Sequence, residues 1–296
     1  MPNPRRSALL VSGALLAASL TAPLAATASA AEAAPAPTPG GHSAGDSLFP
    51  TIGNTGYDVR RYDISLSYAT SGRISALTAV TARATHPLSS YSLDLEGLTV
   101  SRVSVDGHRA SYRREGTKLV VTPRHAVRGT FTTRVRYAGK PVTHVDPDGS
   151  SDGWVPTKDG ATVLSEPLGA MTWFPDNNTP RDKATYRVRV TVPKGLAVAG
   201  NGNLAGRRTH AGRTTWTWSQ PRRMATYLAM VSIGRYQVSH TTMRTTSGRR
   251  LPVWSFIDPT LGSQAHARAL VPTALRFLER RFGSYPFTST GIVVDE

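Results

Sequence analysis

The segment from Glu166 to Tyr186 reads EPLGAMTWFPDNNTPRDKATY and combines three prolines, two adjacent bulky aromatic residues and a leading carboxylate. Each proline fixes its own φ angle and pushes the residue before it away from helical geometry. Trp173 and Phe174 carry too much apolar surface to remain in water, so we expect the loop to pack against the body of the domain. A stiff, anchored loop of this kind predicts a fixed position for the side chain of Glu166.

Segments that alternate apolar and polar side chains surround this loop. Directly after it, residues 186–192 show the alternation of a half-buried strand. The same alternation occurs at residues 62–68, 74–82 and 131–137. Asp106-Gly107 is the strongest short hairpin signal in the chain. Short strands separated by Gly and Asp turns predict a mainly β fold, in the form of an antiparallel, saddle-like β-sandwich.

The character of the sequence changes towards its end. Residues 224–231 form a continuous apolar run that is typical of a buried strand. Residues 263–282 carry an apolar stripe at helical spacing, with Pro272 inside it, which predicts a kinked helix or two shorter ones. Ile292 begins another strand pattern. A strand, a helix and part of a strand are too little to form a core, so we expect the incomplete start of a second domain.

The N-terminus has the pattern of a targeting segment. Arg5 and Arg6 precede an apolar run, and Ala28-Ser29-Ala30 offers small residues for cleavage. This pattern predicts a secretory signal peptide at residues 1–30 and a secreted, extracellular protein. Residues 31–46 are rich in Ala, Pro and Gly and predict a flexible linker. No later stretch reaches the roughly 20 apolar residues of a membrane span.

Composition excludes several kinds of function. The chain of 296 residues contains no cysteine, so it has no disulfides, thiolate zinc sites or cysteine nucleophiles. Its formal net charge is +16, supplied mostly by scattered arginines that form no basic stripe with interleaved aromatic residues. We therefore favour a role of this charge in solubility over nucleic-acid binding, and binding of anionic polymers or cell-surface groups is the alternative.

The chain carries no recognisable catalytic motif. Zinc peptidases of the His-Glu-x-x-His type need two histidines four positions apart on a helix, and none of the eight histidines is so placed. Residues 146–153 place several oxygen-bearing side chains close together, but an EF-hand loop beginning at Asp146 would have Thr157 at its twelfth position. We interpret that segment as an exposed loop. No catalytic or metal-binding residue is predicted within this chain.

The sequence resembles the secreted zinc metallo-aminopeptidases of the aminopeptidase N family. In that family a Glu opens a segment of the type Glu-Pro-x-x-Ala-Arg-x-x-Phe-Pro-Cys-x-Asp-x-Pro-x-x-Lys-Ala-Thr-Phe. The positions that match are Glu166, Pro167, Ala170, Phe174, Pro175, Pro180, Lys183, Ala184, Thr185 and the aromatic Tyr186. The departures are Met171, Asp176 and Asn178. Residues 224–228 and 282–287 resemble further family segments, Met-Ser-Thr-Tyr-Leu and Phe-Gly-x-x-Tyr-Pro.

The resemblance implies a domain arrangement and a cofactor. It implies an N-terminal β domain at residues 47–242, followed at residues 243–296 by the truncated start of an α/β, thermolysin-like catalytic domain. It also implies zinc in the complete enzyme, held by residues that this chain lacks. The chain as given is therefore expected to be inactive alone. A stand-alone extracellular β-sandwich binding module with no catalytic role is the alternative.

The resemblance also implies a role for Glu166. Its family counterpart binds the free α-amino group of the peptide substrate, and a carboxylate on a stiff loop suits an ammonium group as a charge-assisted partner. From the residues alone, a second interpretation stays open, in which Glu166 anchors its loop through a salt bridge with Arg181 or Lys183. No other residue is predicted to bind substrate, and the oligomeric state is left open.

Overall fold

Buried and partly exposed side chains alternate along the long strands of this protein, as the sequence pattern predicts. The computed structural model describes residues 35–146 and 148–296. Along residues 62–68 the side chains of Tyr62, Ile64, Leu66 and Tyr68 are buried, and those between them are partly exposed. The predicted strands at 74–82, 131–137 and 186–192 show the same alternation. These segments therefore each present one face to a common interior.

The structure is mainly β. The strands are β1 (Thr38–Pro39), β2 (Tyr57–Tyr68), β3 (Ile74–Ala84), β4 (Leu88–Asp94), β5 (Thr99–Val105), β6 (His108–Arg109), β7 (Ser111–Glu115), β8 (Lys118–Thr122), β9 (Thr130–Gly139), β10 (Thr143–Val145), β11 (Ser151–Pro156), β12 (Ala161–Leu164), β13 (Ala184–Pro193), β14 (Ala197–Gly200), β15 (Asn203–His210), β16 (Arg213–Met224), β17 (Val231–Gly234), β18 (Gln237–Arg244), β19 (Arg250–Ile257) and β20 (Thr290–Val294). One α-helix, α1 (Ala265–Phe282), and three short 3-10 turns at Gly169–Thr172, Thr226–Leu228 and Pro259–Leu261 complete the described part of the chain.

Four sheets form the fold. The largest has eight strands in the order β15-β16-β13-β2-β3-β9-β5-β6, and a five-stranded sheet has the order β10-β11-β12-β17-β14. A four-stranded sheet, β1-β4-β8-β7, and a three-stranded sheet, β18-β19-β20, accompany them. Pairing is antiparallel except for β13 with β2, β1 with β4 and β19 with β20. The prediction of a β-sandwich is confirmed, with these three parallel pairings added.

The predicted hairpin at Asp106-Gly107 is present and joins β5 to β6. Val105 pairs with His108, and both turn residues have positive φ angles, 48° and 84°. A two-residue turn of this handedness matches the twist of the strands it connects, which is why Asp-Gly is favoured there.

One large hydrophobic core connects the sheets and reaches Phe256 on β19, and a small separate core lies under α1. The large core includes Tyr62, Trp154, Trp173 and Trp218, all nearly inaccessible to solvent. The small core consists of Met243, Leu251, Val253 and Leu275. Ala36–Glu296 nevertheless forms one compact unit. Helix α1 continues through Pro272 as a single helix, so of the two predicted alternatives the one with two shorter helices is wrong.

Two sequence predictions need correction in the described residues. The stretch predicted as a flexible linker up to residue 46 is attached from Thr38 onwards, because β1 pairs with β4 and the Gly40 amide donates to the carbonyl of Ser90 at 2.8 Å. The apolar run at 224–231 is not one strand, because a 3-10 turn at Thr226–Leu228 interrupts it before β17. The predicted signal peptide at residues 1–30 lies outside the described residues.

Candidate functional site

Glu166 lies in the turn that leaves β12 and enters the 3-10 turn Gly169–Thr172. Its side chain is exposed, and within the described residues it makes no hydrogen bond or ion pair. Neither of the two cations predicted to neutralise it does so: within the described residues Arg181 and Lys183 form no ion pair with Glu166. The carboxylate of Glu166 is therefore available to a cation from outside.

A cavity of about 260 Å³ lies directly beside Glu166. Its walls come from three parts of the sequence: the N-terminal segment 46–52, the loop 166–180, and Thr226 with Tyr227. Phe49 and Ile52 pack under the loop on Leu168 and Met171, which supports the apolar side of the cavity. The lining combines this apolar side with polar residues that include Asp46, Glu166 and Asn178. Apolar walls with placed polar groups are found in small-ligand sites.

Asp152 holds the chain immediately after Glu166. Its Oδ2 accepts hydrogen bonds from the backbone amides of Leu168 at 2.7 Å and Gly169 at 2.8 Å. A Cβ on Gly169 would lie 2.2 Å from the Gly153 nitrogen, so only glycine permits this close approach of loop and strand. On the other side of Glu166, the Ser165 hydroxyl donates to the carbonyl of Ala229 at 2.5 Å. Glu166 therefore stands between two backbone attachments.

The aromatic pair of the loop is buried in the large core, as predicted. Trp173 and Phe174 are fully inaccessible to solvent, and their ring centroids lie 4.5 Å apart. Phe174 meets Tyr62 edge-on at 5.3 Å, and the Tyr137 hydroxyl donates to the carbonyl of Trp173 at 3.0 Å. Edge-on aromatic packing contributes about 0.5–1.5 kcal/mol per pair beyond area burial. This packing joins the loop to the central strands β2 and β9.

A buried polar network continues this anchor beyond Pro175. Asp94 accepts from Lys118 Nζ at 2.6 Å, from Asn54 Nδ2 at 2.8 Å and from the Asn178 amide at 3.1 Å. The backbones of Asp94 and Asp176 exchange two hydrogen bonds, at 2.7 and 3.0 Å. The loop is thereby paired with β4 through both main-chain and side-chain groups.

A second branch of the network ties the end of the loop to β2. Asp182 accepts from the Val59 amide at 3.0 Å and from Asn177 Nδ2 at 2.7 Å. The Asn177 amide in turn donates to the Tyr62 hydroxyl at 3.0 Å. These bonds satisfy polar groups that would otherwise be costly to bury.

Burial raises the pKa values of the acids in this network. It raises the pKa of Asp182 to about 7, opposed by the hydrogen bonds from Asn177 and Val59. It raises the pKa of Asp176 well above its usual range, and the neighbouring Asp94 raises it further. The pKa of Asp94 is also raised by burial, while Lys118 opposes this effect. Desolvation disfavours the charged form of each carboxyl group.

The sequence predicted Glu166 as the substrate-binding residue, which stays a prediction, and it did not indicate several residues that surround this side chain. Segment 46–52 lines the cavity although its beginning was assigned to a linker. Asp152 lies in a stretch that was interpreted as an exposed loop, but only 2% of its surface is accessible. The alternation of Asp152 with Trp154 in β11 would have indicated a strand with an inward-facing carboxylate.

The described residues offer no metal centre. Within 35–146 and 148–296, no group of three or more His, Asp or Glu side chains is placed to hold a metal ion. The described part of the chain also contains no helix with the length and apolar character needed to cross a membrane.

Comparison with known proteins gives this geometry a context. Residues 59–228 match the family description Peptidase M1 N-terminal domain. The probable aminopeptidase 1 of Sulfurisphaera tokodaii is 26% identical over 148 residues, which are 49% of this chain and 18% of that protein. The chain thus spans about a fifth of the length of this curated relative.

Solved structures of an M1 zinc metallopeptidase from Deinococcus radiodurans resemble the chain over a longer range. The variant bound to a Tyr-Ser-Ala substrate is 30% identical with a TM-score of 0.76, and the match covers 85% of this chain and 59% of that one. Two structures of a two-domain M1 zinc metallopeptidase, bound to L-arginine and to L-tryptophan, match with the same TM-score, 0.76, and 30% identity. The chain spans about three fifths of these structures.

The family description covers more than half of the chain, and the relatives and solved structures agree with it. The chain therefore belongs to the M1 peptidase family and contains the N-terminal domain of that family at residues 59–228.

Proposed function

We propose that this chain is the N-terminal, substrate-anchoring part of a secreted zinc aminopeptidase that removes N-terminal residues from peptides. One observation carries the proposal: Glu166 is an exposed carboxylate that has no partner among the described residues, on a loop attached at both sides, beside a cavity. A carboxylate and an ammonium group form a charge-assisted hydrogen bond that is about twice as strong as a neutral one. Glu166 would bind the free α-amino group of the peptide.

The rigidity of the loop supports this role. A carboxylate that binds an ammonium group selects a free N-terminus only if it stays in one place relative to the reacting peptide bond. The hydrogen bonds from Leu168 and Gly169 to Asp152, together with the buried Trp173 and Phe174, provide that constraint. The family membership supports a peptide as the substrate, since the Deinococcus enzyme is described with a bound tripeptide.

The remaining parts of the proposal concern domains, zinc and location. Residues 47–242 would be the N-terminal β domain, which then includes most of β18. Residues 243–296, with the last two residues of β18 and with β19, α1 and β20, would be the beginning of the catalytic domain. Zinc would be held by parts of the complete enzyme that this chain does not include, and it would supply the activated water for hydrolysis. Secretion rests on the sequence pattern of residues 1–30.

Replacement of Glu166 by Gln in the complete enzyme tests the proposed role. The change keeps the shape of the side chain but removes its charge, so kcat/KM for an aminoacyl-p-nitroanilide should fall about 10–100-fold, as expected for the loss of one charge-assisted contact. The matched control is Glu115→Gln, a change at an exposed glutamate on β7 whose kcat/KM should stay at the wild-type value.

Folding measurements separate the proposed role from a structural one. The thermal midpoint of Glu166→Gln should equal that of the wild type. A parallel loss of folded protein and activity would instead show that Glu166 anchors its loop. The chain as given is expected to hydrolyse no aminoacyl-p-nitroanilide, and hydrolysis that a chelator abolishes would contradict this part of the proposal.

A further inference from the structure

A second, larger depression lies where turns from both main sheets meet. Its volume is about 670 Å³, and five segments line it: residues 68–72, 140–141, 154–160, 193–196 and 235–236. We call it the basic groove. It shares no residue with the cavity beside Glu166, and the two lie at opposite ends of β12, which Gly160 precedes and Glu166 follows. The basic groove is therefore a different site from the cavity beside Glu166.

The basic groove concentrates positive charge. The chain contains five lysines, and three of them, Lys140, Lys158 and Lys194, line the groove together with Arg235. The one acid in the lining is Asp159. These cations come from four separate turns, so their convergence is a result of the fold and is not visible as a basic run in the sequence.

The positive charge is poorly neutralised within the described residues. Lys140 and Lys194 form no ion pair there. The two remaining pairs are long: Lys158 Nζ lies 3.9 Å from Glu296, and Arg235 Nε lies 3.9 Å from Asp159. Exposed pairs of this kind contribute little, so the groove retains most of its positive potential. The four cations of the lining outnumber its one acid, and such an excess of positive charge favours binding of an external anion.

The aromatic walls of the basic groove strengthen its positive potential and restrict the type of ligand that it can bind. Tyr68, Trp154 and Tyr236 line the groove but are 4%, 2% and 9% exposed. Their apolar bulk replaces water on the protein side, which focuses the field of the cations. Proteins that bind single-stranded nucleic acid stack bases on accessible aromatic faces, and these rings are too buried for that use. The groove is therefore better suited to an anion without stacking bases.

Carboxylates of this chain already lie at one edge of the groove. The Asp295 Oδ2 accepts a hydrogen bond from the Tyr236 hydroxyl at 2.5 Å, and Glu296 is the partner of Lys158. The hydroxyl of Thr157, also in the lining, is buried without a hydrogen-bond partner in the described residues. This edge of the basic groove can thus accommodate consecutive acidic side chains of an extended peptide.

We infer that the basic groove binds an acidic peptide segment, whose Asp or Glu side chains pair with Lys140, Lys158, Lys194 and Arg235. Lysine ammonium groups act as mobile point charges and can follow carboxylates on a flexible chain. The volume corresponds to a ligand of a few residues, within the usual range of binding sites. The inference does not depend on the assignment of Glu166, since the two sites share no residue.

Fluorescence anisotropy with a fluorescein-labelled hexaglutamate peptide tests this inference on the full chain. The peptide should bind, and binding should weaken as salt is raised from 50 to 300 mM because salt screens exposed charges. The triple variant Lys140→Gln, Lys158→Gln, Lys194→Gln should weaken binding about tenfold, as expected for three exposed charge contacts. A single Lys194→Gln change should weaken it about twofold.

The matched control removes the same charge elsewhere on the surface. The variant Lys183→Gln, Arg208→Gln, Arg250→Gln changes three exposed cations outside the groove and should bind hexaglutamate within about twofold of the wild type. Equal weakening by both triple variants would overturn the inference, because only net charge would then matter. Equal binding of hexaglutamine, or tighter binding of a hexathymidylate, would also overturn it. Near-ultraviolet circular dichroism verifies that the variants are folded.

Discussion

Glu166 and Asp176 are acidic residues of the same loop, but they have opposite surroundings. Asp176 is fully buried, its side-chain oxygens lack hydrogen-bond partners in the described residues, and burial raises its pKa well above the usual range. Glu166 is exposed beside a cavity and has no internal partner there. We call residues 173–182 the base of the loop and Glu166 its tip. The base has a structural role, whereas the tip is free to bind.

This difference shows how one short segment can combine stability with recognition. The base is held by aromatic packing and by the network around Asp94 and Asp182. Because these contacts hold the base in place, the Glu166 side chain at the tip needs no ion-pair partner of its own to keep its position. Substitutions in the base should therefore change stability, and substitution of the tip should change only binding.

The largest effect is expected for Phe174→Ala. The ring is fully buried between Tyr62 and Trp173, so its removal should lower the free energy of unfolding by about 3–5 kcal/mol. Urea denaturation followed by tryptophan fluorescence measures this change. Phe277→Ala is the matched control, since Phe277 on α1 is 50% exposed, and it should cost less than about 1 kcal/mol. Similar losses in both variants would contradict the description of the base as a buried anchor.

A somewhat smaller loss is expected for Lys118→Ala. This change leaves Asp94 buried without its cation, which should cost about 3 kcal/mol, the lower end of the range for a broken buried pair. The lower end applies because Asp94 keeps its hydrogen bond from Asn54 and can take up a proton. Arg113→Ala breaks the exposed pair with Glu115 and should cost less than about 1 kcal/mol. Equal effects of the two changes in urea denaturation would contradict a buried network.

The third prediction concerns pH. The pKa of Asp182 is raised from 3.8 to about 7 in the folded state, so the folded protein binds more protons than the unfolded chain between these values. The contribution of Asp182 to the free energy of unfolding is fully present below about pH 4 and is lost as pH rises through about 7. Between pH 5 and 8 the deprotonation of Asp182 should therefore lower the free energy of unfolding by about 3 kcal/mol.

The variant Asp182→Asn provides the comparison for this pH effect. Asparagine has nearly the shape of the protonated acid but does not titrate, so the decrease in stability between pH 5 and 8 should become smaller by about the same amount. Urea denaturation at a series of pH values measures both slopes. An unchanged slope in the variant would show that Asp182 titrates normally in the folded protein.

The smallest effect on stability is expected at the tip. Glu166→Gln should leave the free energy of unfolding within about 0.5 kcal/mol of the wild type, because this exposed side chain has no partner among the described residues and so loses no contact there. Thermal denaturation by circular dichroism measures this. A clear loss of stability would remove the contrast between base and tip.

Much of the fold follows from local patterns. The alternation in 62–68, 74–82, 131–137 and 186–192 predicts strands that the structure contains, because side-chain period two is a property of the extended backbone itself. The run at 224–231 was predicted wrongly because a continuous apolar stretch carries no period. In the folded protein, Thr226–Leu228 within this run form a 3-10 turn.

By itself, the sequence determined that the chain is mainly β, that Trp173 and Phe174 are buried, and that Glu166 begins a stiff loop. These properties depend on backbone geometry and on the hydrophobicity of nearby residues, which are local. Only the tertiary structure decided that Asp152 supports this loop, that segment 46–52 lines the cavity, and that Lys140, Lys158 and Lys194 converge. Such contacts join residues far apart in sequence, and their distances are set by strand pairing and core packing, which no local pattern encodes.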